Sequence, residues 1–291
     1  MLSYDFPLWR PPSEGDNLII QATLGCRFNR CTFCSMYKEK AFEARPLDAV
    51  CADIDEAARL WPGARRVFLA DGDAYGLPTE RLLAIAAHLK ERFPGLQRIS
   101  AYATPFNILG KEPEEIAALK AARLGLVYLG VESGADRLLK GIAKGSAKQM
   151  EAALARARDT GLKVSATVIL GLGGKAHWQE HIEATAALVN RQPPTYLSTL
   201  QLVLDPAVAP AFFERFGEPF AWQDDEGVLA ELRLLVERLD PPAPVIFRSN
   251  HASNALALAG TLPKDRERLL AEIDTCLTGG GGMRPRWLRG L

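Results

Sequence analysis

Short apolar runs alternate with helix-like stretches along most of this chain, and that alternation leaves few folds open. The runs fall at residues 17–21, 66–70, 98–103, 126–131, 163–170 and 196–204. Each has strand length and strand-type residues. Helix signals stand between them. Pro46 opens one helix at its favoured first turn, to about Leu60, and Thr79 opens another, to about Arg92. Pro113 starts a third, ending near Arg123. Ser146 and Gln149 form a capping box for a fourth, which stops at Gly161. A fifth spans 178–190, and a sixth spans 224–239 before Pro241 and Pro242. Parallel neighbours need a crossover between them, so this rhythm predicts an α/β fold with a parallel sheet.

At 291 residues the chain suffices for one large α/β domain or two smaller ones. The 35 basic and 35 acidic side chains cancel, so there is no global pull toward nucleic acid or an anionic membrane. No run approaches the ~20 apolar residues of a membrane span. The first residues lack the basic and apolar regions of a signal peptide, which predicts a cytoplasmic protein.

Five cysteines are present, and three of them crowd into LGCRFNRCTFCSMYKEK directly after the first strand. Cys26, Cys31 and Cys34 are spaced C-x4-C-x2-C. Thiolates select zinc, copper(I) or iron–sulfur clusters. A structural zinc site wants four ligands, so zinc would require a distant fourth residue. Three ligands on a 4Fe–4S cluster would leave one iron open. Cys51 and Cys276 lie in helix-like sequence and read as small buried apolar residues.

With these three cysteines after a strand, the chain resembles the radical SAM superfamily. The usual spacing there is C-x3-C-x2-C; this chain has one extra residue in the first gap and keeps the second intact. Phe33, just before the third cysteine, fits the family pattern in which an aromatic packs near the adenine. The resemblance implies a 4Fe–4S cluster on Cys26, Cys31 and Cys34, with S-adenosylmethionine on the fourth iron. It implies reductive cleavage to a 5′-deoxyadenosyl radical that abstracts hydrogen from a substrate. It also implies an external one-electron donor of the flavodoxin or ferredoxin type. The implied fold is a partial (β/α)6 TIM-type barrel over residues 17–240, with an arm at 1–16. Residues 241–278 form an extension, with a strand at 245–247 and a helix at 264–277, and residues 279–291 a flexible tail.

The same resemblance assigns cofactor-binding residues at successive strand ends. Asp71, Gly72 and Asp73 follow the second strand, where the family meets the amino group of S-adenosylmethionine; an ammonium needs such acceptors. Thr104 follows the third strand. Glu132 and Ser133 lie in LGVESG, which resembles the element of oxygen-independent coproporphyrinogen oxidases, methylthiotransferases and elongator catalytic subunits. Glu132 would accept from the ribose hydroxyls, Ser133 would reach the methionine carboxylate, and Lys144, in DRLLKGIAKG, would neutralise it. Ile169 and Gly171 end the fifth strand beside the adenine.

Two further motifs stand out. HWQEH at 177–181 matches the pattern of inverted zinc peptidases, but with no third ligand evident; solvent-facing and capping roles are expected for it. RSNHASN at 248–254 is polar directly after an apolar run, and makes Arg248, His251 and Asn254 candidates for substrate contact or catalysis; a loop clamping the extension to the core is the competing reading. A haem or porphyrin carrier on the same fold, or a zinc protein, would be the alternatives to an enzyme. Nucleic acid is not a favoured partner.

Overall fold

The computed structural model describes residue 2 and residues 4–290. In chain order the elements are β1 (Leu18–Gln21), β2 (Thr23–Leu24), β3 (Glu43–Ala44), α1 (Leu47–Leu60), β4 (Arg66–Ala70), α2 (Thr79–Arg92), β5 (Arg98–Ala103), α3 (Pro105–Leu109), α4 (Pro113–Ala121) and β6 (Leu124–Glu132). Then follow α5 (Asp136–Gly141), α6 (Ala147–Thr160), β7 (Lys163–Leu170), α7 (Gly174–Arg191), β8 (Tyr196–Gln201), α8 (Ala209–Phe216), α9 (Asp225–Arg238), β9 (Val245–Arg248), β10 (Ala259–Leu262) and α10 (Arg266–Leu277). The main sheet runs β1-β4-β5-β6-β7-β8-β9-β10. The chain is therefore an α/β protein with a mostly parallel, open sheet, as the alternation predicted. All six expected strands are present, β6 longer at both ends and β8 shorter. Sequence reading missed β10, which pairs antiparallel with β9, and the helices α3, α5 and α8.

Cα proximity divides the chain into two compact units. One holds residues up to 29, 36–129 and 156–164; the other holds 30–35, 130–155 and 165 onward. The linear boundaries expected at 16/17, 240/241 and 278/279 are not the edges of these units.

In the first unit β1, β4, β5 and the first part of β6 pair in parallel. Val67, Phe68, Leu69 and Ala70 of β4 are all buried, the near-continuous apolar run of a strand covered on both faces. Helix α1 buries Val50, Ile54 and Ala57, one face at helical spacing. The N-terminal arm is pinned to the strands by Glu14, which is fully buried. Its Oε1 accepts from Arg98 Nη2 at 2.7 Å, Ser100 Oγ at 3.0 Å and Tyr128 Oη at 2.5 Å.

In the second unit β7, β8 and β9 pair in parallel and β10 closes the edge. The capping box of α6 forms as expected: Gln149 N–H donates to Ser146 Oγ, and Ser146 N–H donates to Gln149 Oε1. Residues 279–291 were expected as a flexible tail; residue 291 lies outside the described residues. Within that stretch Arg284 Nη1 donates to the carbonyls of His251 and Ala252. Arg289 forms a two-pronged pair with Asp225 at 2.8 and 2.9 Å.

Candidate functional site

Strand β1 leads through β2 to Gly25, whose φ of 65° suits glycine, and then to Cys26. The loop is held by the end of β4. Asp71 Oδ2 accepts from the Gly25 amide at 2.9 Å, and Gly72 N–H donates to the Gly25 carbonyl at 3.0 Å. Lys40, nearly buried, sits 2.8 Å from Asp71 Oδ2 and donates to the carbonyls of Asp5 and Pro7. Gln21 donates to Asp71 Oδ1. The carboxylate of Asp71 is thus spent on the protein itself. Gly72 has no room for a side chain: a Cβ there would stand 2.7 Å from the Tyr37 ring and 3.0 Å from Cys26 Cβ.

Asp73 differs from Asp71. It is 2% exposed, and its Oδ1 is buried without a hydrogen-bond partner. Burial pushes its carboxyl up to about 6, against the opposing pull of Asn107, Arg27 and Lys111. An orphaned acceptor of this kind is costly unless something donates to it.

In the second unit, Thr32 of the cysteine motif is fastened to the end of α5: its N–H donates to Ile142 O at 3.2 Å and its hydroxyl to Gly141 O at 3.4 Å. Two residues on, Lys144 reaches Glu132 Oε1 at 3.1 Å. Burial opposes the charge on Lys144, but Glu132 and the sulfurs of Cys31 and Cys34 outweigh it and hold its pKa above the usual range. Glu132 itself has a φ of 63°, a left-handed conformation in a non-glycine residue at a strand end. Such strain concentrates at functional sites. A side chain on Gly130 would run into the Glu132 carboxylate, which explains that glycine.

Ser133 is fully buried. Its Oγ is 2.8 Å from His181 Nδ1 and accepts from the Ala135 amide at 3.0 Å. His181 Nε2 is 2.9 Å from the Ile169 carbonyl, which can only accept. Nε2 therefore carries the proton and Nδ1 accepts from Ser133. Burial lowers the His181 pKa to about 4, which keeps the ring neutral, although the Ile169 bond pulls the other way. His181 thereby ties the end of β6 to the end of β7. Beyond Ile169, the Gly171 amide donates to Glu231 Oε2 at 2.7 Å. Burial pushes Glu231 up to about 7, against the bonds from Gly171 and Gln223.

The sequence matches the radical SAM superfamily over residues 20–189, more than half of its length. The chain belongs to the radical SAM superfamily. Over 175 residues it is 28% identical to a Methanocaldococcus jannaschii protein provisionally named a methylthiotransferase, covering 54% of this chain and 36% of that one. The chain thus spans about a third of the length of that curated relative. Among solved structures, coproporphyrinogen III oxidase (HemN) of Escherichia coli, also a radical SAM enzyme, matches with a TM-score of 0.53 at 19% identity, over 66% of this chain and 44% of that one. Methylornithine synthase (PylB) matches with a TM-score of 0.55 at 15% identity, over 88% and 68%. The methyltransferase TsrM of Kitasatospora setae matches with 0.51 at 18%, over 64% and 36%. These likenesses carry the radical SAM fold.

The residues fit the cofactors of a radical SAM enzyme. Cys26, Cys31 and Cys34 bring three sulfurs into one loop, a soft donor set, and the loop is fastened through Thr32 to the turn that carries Lys144. Asp73 offers an unpartnered acceptor. Other expected positions are engaged by the protein's own hydrogen bonds. Thr104 caps α3 in a capping box with Asn107, so its hydroxyl is engaged. Ser133 is held by His181. Asn254 is 3% exposed and clamps β8, accepting from the Gln201 amide and donating to the Thr199 carbonyl. His251 bonds Ser253 Oγ at 2.7 Å, and burial together with Arg284 lowers its pKa. Phe33 is half-buried and Ile169 buried.

HWQEH forms no zinc pair. His177 bonds Glu218, and His181 is fully buried with both ring nitrogens engaged, contrary to the solvent-facing role expected. Histidines at i and i+4 share a helix face, but which face of α7 is inward depends on its neighbours. Sequence reading also missed Lys40 and Glu231. Neither carries a local signal, because each meets its partner across a long sequence separation. Among the described residues no helix is long and apolar enough to cross a membrane.

Proposed function

We propose that the thiolates of Cys26, Cys31 and Cys34 hold a 4Fe–4S cluster, and that this radical SAM enzyme uses it with S-adenosylmethionine to abstract hydrogen from a substrate. When bound, cluster and S-adenosylmethionine together supply one-electron cleavage to methionine and a 5′-deoxyadenosyl radical. The observation that carries the reading is the fastening of Thr32, between Cys31 and Cys34, to Gly141 and Ile142, just before Lys144 and its pair with Glu132. A cation there would offset the negative charge of bound thiolates. Lys144 would also neutralise the methionine carboxylate, and Glu132 would accept from the ribose hydroxyls. Asp73 Oδ1 would accept from the amino group. Ile169 and Phe33 would pack on the adenine. Ser133 acts through His181 as a positioning residue. A flavodoxin- or ferredoxin-type donor and a cytoplasmic setting complete the proposal.

The test is the reduced EPR spectrum of anaerobically reconstituted protein with and without S-adenosylmethionine, followed by assay of 5′-deoxyadenosine. A cluster signal that changes with S-adenosylmethionine, together with 5′-deoxyadenosine, is the expected result. A cluster indifferent to S-adenosylmethionine would point to a carrier or electron-transfer role. Zinc in place of iron would overturn the reading.

A further inference from the structure

Residues 196–199 of β8 and the whole of β9 alternate in exposure. Leu197 and Thr199, with Val245 and Phe247, are buried; Tyr196 and Ser198, with Ile246 and Arg248, are not. Successive side chains of a strand point to opposite faces, so the second set shares one open face. Register places Thr167 of β7 opposite Ser198, and Ser198 opposite Arg248. The three form a polar row across three strands, about 10 Å wide. Thr167 is the one residue of β7 after Lys163 that is not buried. Tyr196 lies on the same face, and the Arg248 guanidinium stands 4.8 Å from its ring centre.

This row is unfilled by the protein. Among the described residues Arg248 forms no ion pair and no side-chain hydrogen bond, and the hydroxyls of Thr167, Ser198 and Tyr196 have no partner. A half-buried guanidinium without an anion bears a desolvation cost that a bound oxyanion would offset. Its planar fork matches a carboxylate or phosphate in two-pronged fashion, and the neighbouring hydroxyls can donate to the same group. The Tyr196 ring holds the guanidinium in place. Ile169, on the same face of β7 as Thr167, is two residues further along, about 7 Å.

We infer that Arg248, Ser198 and Thr167, with Tyr196 beneath, form the subsite that anchors an oxyanion, carboxylate or phosphate, of a small-molecule substrate. This rests on the radical SAM reading for the reaction, but not for the binding. Arg248 is then a specificity-determining residue rather than a hydrogen donor or acceptor in the chemistry.

Calorimetric titration of the full-length, cluster-loaded protein with succinate and with inorganic phosphate tests it. Saturable binding of either is expected, weakened about tenfold by Arg248→Gln and about threefold by Ser198→Ala. Binding of succinate alone assigns a carboxylate, and of phosphate alone a phosphate. If neither anion binds, or if both variants bind as the wild type does, the subsite is refuted. Should Arg248→Gln fail to fold, Ser198→Ala and Arg248→Lys decide in the same way. Measuring 5′-deoxyadenosine separately distinguishes the two ideas: anion binding without any 5′-deoxyadenosine would remove the radical reading and leave the subsite standing.

Discussion

Lys144 Nζ lies 3.1 Å from Glu132 Oε1, and the turn that carries this largely buried lysine is fastened to Thr32, between two of the three clustered cysteines. The pair's geometry depends on a strand end in the left-handed region at Glu132 and on a turn through Ala143 and Gly145, both of positive φ.

Removing one partner of such a pair leaves the other charge uncompensated. Lys144→Met should lower stability by about 3 kcal/mol in urea unfolding of the iron-free protein. The double variant with Glu132→Gln should regain part of that loss. Iron content after reconstitution should also fall in Lys144→Met, and wild-type iron and stability in that variant would exclude the role given to Lys144.

Burial raises the Asp73 carboxyl from the ordinary 3.8 of an aspartate to about 6 in the folded protein. Between those values the folded protein keeps a proton that the unfolded chain has released. Stability therefore falls as pH rises from about 4 to 6, by up to roughly 3 kcal/mol. Asp73→Asn should flatten that decline. An ammonium prefers the ionised carboxyl, so S-adenosylmethionine should bind the cluster-loaded wild type more tightly at pH 7.5 than at pH 5.5. In Asp73→Asn that difference should vanish.

Glu231 follows the same sign over a higher window, from the ordinary 4.5 of a glutamate to about 7. The loss of stability is complete above pH 7. Glu231→Gln keeps an acceptor for the Gly171 amide and removes the buried charge. It should be the more stable protein at pH 8 by about 2 kcal/mol, and indistinguishable from wild type near pH 4. Urea midpoints at the two pH values check both parts.

His181→Ala would strand the Ser133 hydroxyl and the Ile169 carbonyl in the interior. A loss of about 2–4 kcal/mol is expected. Zinc added to the iron-free wild type should leave its unfolding midpoint unchanged at stoichiometric concentration. A zinc-dependent rise lost in His181→Ala would revive the peptidase-like reading of HWQEH.

Gly72→Ala brings a methyl group against the Tyr37 ring and Cys26 Cβ. The Cys26 loop must shift to admit it. Iron incorporation should drop severalfold while circular dichroism stays that of the wild type, because the clash is confined to the loop. Full iron loading in this variant would show that the loop tolerates the displacement.

Much of this was legible locally. The strand at Arg66–Ala70 and the helix at Thr79–Arg92 begin and end where propensity and punctuation put them. The Ser146–Gln149 box forms because its partners are three residues apart. C-x4-C-x2-C and Gly–x–Glu–Ser are contiguous strings, so they identified the superfamily without any knowledge of packing. Strand β10 was missed because Ala259–Leu262 has little apolar content of its own; it is a strand through its pairing with β9.

The amino-acid sequence by itself determined the α/β class and the superfamily, since both reside in periodicity and in short motifs whose chemistry is local. Tertiary structure decided which polar groups are spent and which are open. Asp71 and Asp73 are two residues apart, yet Asp71 is consumed by Lys40, Gln21 and the Gly25 amide while Asp73 keeps a bare oxygen. Ser133 goes to His181 across 48 residues, and among the described residues the guanidinium of Arg248 meets an aromatic ring and no anion. Hydrogen bonding and burial between distant segments assign those roles, and no window of sequence contains both partners.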